Sequence, residues 1–108
     1  MQIPLQITYR GFPPSEAIAA KIRQQVEKLH QFSDRITSCQ VMVEAPHQHH
    51  RQGNIYHVRI NLTLPGKELV IARNSSQNHA HEDLYVAIRD AFAAAQRQLK
   101  HYAAVQKS

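Results

Sequence analysis

Three histidines fall within four positions, at His47, His49 and His50, and Arg51 follows them. Imidazole is the commonest ligand for zinc and copper, so a metal centre would be sought here first. A tetrahedral site needs about three or four donors on a rigid frame. The segment His47-Gln48-His49-His50-Arg51-Gln52-Gly53-Asn54 instead has the polar, turn-forming composition of a loop, with no cysteine, aspartate or helix-paired histidine beside it. It reads as a solvated loop, or as one whose His47, His49, His50 and Arg51 touch nucleic acid; metal binding is expected to be weak, and no metal ligand is assigned. His79 and His81 stand just before a helix, as cap and loop residues.

Nucleophilic chemistry has less support. Cys39 is the only cysteine, so neither an intrachain disulfide nor a cysteine-rich zinc cage can form, in keeping with a reducing compartment. Its place in an alternating run puts it on the core side of a strand, as a small buried hydrophobe. Ser15, Ser33, Ser38, Ser75 and Ser76 stand in turn or cap contexts, without a Gly-x-Ser-x-Gly elbow. Three glycines in the whole chain leave no phosphate-cradling loop. Glu82 and Asp83 are adjacent acids, but they open a helix, where negative charge complements the dipole. No catalytic residue, cofactor or small-molecule substrate is assigned.

Basic surface remains. Thirteen Lys/Arg against eight Asp/Glu leave a formal +5, and no acid follows Asp90, whereas Arg97, Lys100 and Lys107 do. A polyanion is the matching partner. Lys21 and Lys28 are seven residues, or two helical turns, apart and share a flank with Gln24. Arg89, Gln96 and Lys100 repeat the pattern on a second helix, with Arg97 near its outward pole. Together they would make a positive surface able to track phosphates. A membrane surface fits less well, because neither helix sets bulky apolar residues beside a lysine run.

The positioning elements follow from periodicity. Ile3, Leu5, Ile7 and Tyr9 alternate with polar residues as strand one, over 3–9. Ser15 then caps a helix running from about Glu16 to His30, with Ile18, Ile22, Val26 and Leu29 on one stripe. Strand two spans Ile36 to Ala45, with Cys39, Val41 and Val43 inward. Strand three (Tyr56 to Leu64) and strand four (Glu68 to Ala72) form a hairpin across Pro65-Gly66. A second helix covers about Glu82 to Ala104, with Leu84, Ile88, Ala91, Ala95, Leu99 and Tyr102 inward. The expected architecture is α+β in the order βαβββα: a four-stranded sheet with both helices packed on one face. With 43% hydrophobic and 19% charged residues, residues 1–108 should fold as one domain. No apolar run approaches the roughly 18 residues of a membrane span and the first residues lack a secretory signal, so the expected location is cytoplasmic.

The second helix also carries a resemblance. His81-Glu82-Asp83-Leu84-Tyr85-Val86-Ala87-Ile88, followed by Arg97-Gln98-Leu99-Lys100, resembles the second helix of the ribosome hibernation-promoting factor and ribosome-associated inhibitor family, which reads Asp-Met-Tyr-x-Ala-Ile and then Arg-Gln-Leu. Glu16-Ala17-Ile18, Lys28-Leu29, Phe32 and Asp34-Arg35-Ile36 are similar to that family's first helix and its exit. The likeness spans about residues 3–102. It implies a non-enzymatic stress or stationary-phase factor that binds 16S-type rRNA of the small ribosomal subunit, over the messenger and transfer RNA sites, and inhibits translation. By position it puts rRNA-facing cations at Lys28, Arg97 and Lys100; the surface reading adds Lys21 and Arg89. Gln25 and Ala94 stand where the family commonly has lysine, and Arg89 where an aspartate is common, so the basic surface is rearranged. The long members' C-terminal dimerisation domain does not follow, so pairing of ribosomes by this chain alone is not expected. An off-ribosome module for structured RNA and a small metal-responsive interaction protein are the alternatives.

Overall fold

The computed structural model describes residues 3–11, 13–45, 56–74 and 81–107. The elements run β1 (Leu5–Arg10), α1 (Glu16–Phe32), β2 (Ser38–Glu44), β3 (His57–Leu64), β4 (Lys67–Asn74) and α2 (His81–Lys107). This is the expected βαβββα order. The four strands form one sheet in the order β1-β2-β3-β4. β1 and β2 are parallel neighbours, so the chain must cross over between them, and α1 is that crossover. The other two pairings are antiparallel.

Alternation along each strand becomes rows across the sheet. Leu5, Cys39, Leu62 and Leu69 are in register, as are Ile7, Val41, Ile60 and Ile71. These rows form a single core with Ile18, Ile22, Val26 and Leu29 of α1 and with Leu84, Ile88, Ala91, Ala95, Leu99 and Tyr102 of α2. Buried alanines at Ala87, Ala91, Ala94 and Ala95 let α2 lie close to the sheet. The opposite face presents Gln6, Thr8, Gln40, Arg59, Thr63, Val70 and Ala72, all exposed.

The ends of several elements depart from the sequence reading, each for a local reason. α1 continues to Phe32, and the Ser33 N–H closes the last turn by donating to the Leu29 carbonyl at 2.9 Å. Ile36 lies outside β2 yet is buried, because Thr37 N–H donates to the Thr63 carbonyl and ties this entry segment to β3. β4 is longer than 68–72, since the hairpin loop is only two residues and pairing resumes at Leu64 and Lys67. Pro65 precedes Gly66 at φ 73, the order of dihedral signs in a type II turn.

Ser15 caps α1 as its residue type predicts, its Oγ accepting from the Ile18 N–H at 3.3 Å. Ser15→Ala should lower stability by about 1 kcal/mol. Thermal melting followed by circular dichroism would show this as a drop of about 4–8 °C for a domain of this size.

Candidate nucleic-acid interface

Charge on the two helices is sorted by flank. Arg23, Glu27 and His30 line a cavity of about 640 Å³ with Ile3, Pro4, Leu5 and Ile7, so this flank of α1 looks toward β1. Glu16 lies on the same side and binds Arg23, whose Nη2 donates to Glu16 Oε2 at 2.6 Å. The acids of α1 are therefore gathered here. Helix periodicity puts Lys21, Gln25 and Lys28 on the other flank, toward α2. Gln25 is buried, at 8% exposure. Lys21 is half-buried, so its stem lies along the apolar surface while its ammonium reaches water. Lys28 is exposed.

On α2 the sorting repeats. Ala94, Arg97, Gln98, His101 and Tyr102 line a groove of about 710 Å³ with Lys67, Leu69 and Arg73 of β4. Arg89, Gln96 and Lys100, all exposed, run along the outer ridge away from β4. Arg89 has an ion pair with Asp90, Nη2 to Oδ1 at 3.5 Å; both side chains are well exposed, and such pairs contribute little. Asp90 itself sits on the β4 side.

The five basic residues singled out in the sequence thus divide in two. Lys21, Lys28, Arg89 and Lys100 belong to the outward surface of the helix pair; the acid at their spacing is Glu82, seven residues before Arg89 in the first turn of α2. Arg97 belongs instead to the β4 groove, with Lys67, Arg73 and His101. These three partners escaped the sequence reading, though a signal was present. Lys67, Leu69, Ile71 and Arg73 alternate on the same face of β4, so a cation stands at each end of a stripe whose middle is core.

The remaining candidates are Cys39 and the histidine loop. Burial pushes the Cys39 thiol up to about 12, so it stays protonated at physiological pH and is a core side chain, not a nucleophile. His47, His49, His50 and Arg51 lie outside the described residues, and so does His79. Among the described residues no cluster of three metal-ligating side chains occurs. No described helix is long and apolar enough to cross a membrane.

Fold and surface together define a small α+β domain with a cationic helical side. Residues 5–107 match the model of the family described as sigma 54 modulation protein / S30EA ribosomal protein, and the chain belongs to that family. It is thus a ribosome-associated protein of the hibernation type, the family that the two helices resemble. No curated protein matches the chain in sequence. Among solved structures it is similar to a ribosomal subunit interface protein from Coxiella burnetii, with a TM-score of 0.71 at 19% identity, covering 94% of this chain and 99% of that one. It is also similar to the N-terminal domain of Protein Y from Thermus thermophilus, with a TM-score of 0.64 at 20% identity and the same coverage. At these identities the likeness establishes the fold.

Proposed function

We propose that the chain is a non-enzymatic stress or stationary-phase factor that binds rRNA of the small ribosomal subunit with its helical side, occupies the decoding region and inhibits translation. The observation that carries this reading is the sorting of charge: Lys21, Lys28, Arg89 and Lys100 share the outward surface of α1 and α2, while Glu16, Glu27 and Asp90 stand on the flanks away from it and Glu82 takes the cations' spacing only at the first turn of α2. A surface of that kind binds through many weak phosphate contacts, not one deep pocket. Family membership and similarity to a ribosomal subunit interface protein support the choice of partner. The protein acts in the cytoplasm on this reading and needs no nucleotide, metal or membrane.

Purified protein added to a cell-free translation system should inhibit synthesis in proportion to its ratio to ribosomes, and less when initiation complexes are formed beforehand. Sucrose-gradient sedimentation should find it with small subunits. Recovery only as a free pool that still binds structured RNA would replace this reading with an off-ribosome RNA module.

A further inference from the structure

The groove between β4 and α2 is separate from the outward surface of the helix pair, and its chemistry is more sharply defined. One wall is β4, which stands at the edge of the sheet and among the described strands pairs only with β3. Lys67 and Arg73 stand at the two ends of this wall, six residues or about 20 Å apart along an extended strand. The other wall is α2, where Arg97 and His101 are one turn apart on the same face. Leu69, Ala94 and Tyr102 form an apolar floor, and the Tyr102 hydroxyl is held by the Pro65 carbonyl at 3.3 Å. Gln98 adds an amide. Among the described residues no carboxylate lines the groove, and Asp90 stands on the same side of α2 two turns before Arg97.

An inward-pointing charge on an edge strand is often a guard against edge-to-edge pairing. That accounts for Lys67 and Arg73 but not for the second pair of basic side chains facing them from α2. A channel with Lys67 and Arg73 on one wall, Arg97 and the His101 imidazole on the other, and an apolar floor suits a chain of phosphates joined by less polar units. We propose that this groove is a second nucleic-acid contact, which takes the sugar-phosphate backbone of a single RNA strand along β4. The identification of that strand as rRNA rests on the ribosome reading above; the groove itself rests on its lining residues.

The test uses the full chain and a single-stranded RNA of about a dozen nucleotides. Amide resonances of Lys67, Arg73, Arg97 and His101 should shift and saturate on titration. A Lys67→Gln/Arg73→Gln double variant should bind this RNA about tenfold or more weakly near 0.15 M salt, with the slope of log affinity against log salt reduced by between one and two. Its circular dichroism melt should stay within a few degrees of the parent. Shifts that leave these four residues out would overturn the proposal. So would unchanged RNA affinity together with a new dimer or aggregate, which would assign the two cations to guarding the edge. If the parent binds RNA here but fails to sediment with small subunits, the ribosome reading falls and the groove stands. If it sediments and the double variant loses neither RNA nor subunit affinity, the groove falls and the ribosome reading stands.

Discussion

Gly11→Ala should cost about 3 kcal/mol or more, far above the usual effect of a loop substitution. Two independent reasons combine at this position. Gly11 has φ 86, in the left-handed region where a Cβ meets the backbone and costs about 1–2 kcal/mol. In addition, a Cβ built there would lie only 2.0 Å from the Ala45 carbonyl oxygen. That oxygen is part of a backbone held in place, since Ala45 N–H donates to the Arg10 carbonyl at 2.8 Å where the β1/β2 ladder ends. The clash can be relieved only by moving one parallel strand against the other. Gly66 supplies the control: its φ is 73, but nothing lies within 4 Å of a Cβ built there. Gly66→Ala should therefore cost only the dihedral strain, about 1–2 kcal/mol. Denaturant melts of the two variants should separate clearly; equal losses would mean that the contact at Ala45 relaxes without cost.

The same two glycines show where a sequence is readable. Pro65-Gly66 announces a turn, because proline fixes one φ and glycine permits the other. Gly11 reads only as the end of a strand; its close approach to Ala45 depends on a partner strand 34 residues away, and no local pattern encodes that distance. The fold as a whole was legible because its stripes are clean. Ile18, Ile22, Val26 and Leu29 keep helical spacing, and Val58, Ile60, Leu62 and Leu64 keep strict alternation. The surface was legible only in part. Spacing along one helix finds Lys21 with Lys28, and Arg89 with Lys100. It cannot find that Arg97 faces Lys67 and Arg73, because that meeting is made by α2 packing beside an edge strand. The histidine cluster is the densest chemical signal in the sequence, and it lies outside the described residues.

Charge reversal on the outward helix surface should have the largest functional effect. The variant Lys28→Glu/Arg89→Glu/Lys100→Glu changes three exposed side chains. Each reversal removes two units of charge, so three take the formal net charge from +5 to −1. Stability should hardly move, since exposed substitutions away from caps and core shift it by about 0.5 kcal/mol or less each. The Arg89–Asp90 ion pair lost with them is well exposed and contributes little. Binding should move a great deal. If each cation neutralises one phosphate, losing three contacts lowers the salt slope by about two to three and the affinity by about 100-fold near 0.15 M salt, before the new repulsion is counted. Sedimentation with purified small subunits at several salt concentrations would measure both quantities. Lys21 is left unchanged because its stem is half-buried and its replacement would mix packing with charge. A variant that keeps its melting temperature but no longer inhibits cell-free translation would place the ribosome contact on the helical side. One that keeps parental affinity and salt slope would show that Lys28, Arg89 and Lys100 face solvent in the complex, and the helical side would no longer be the contact.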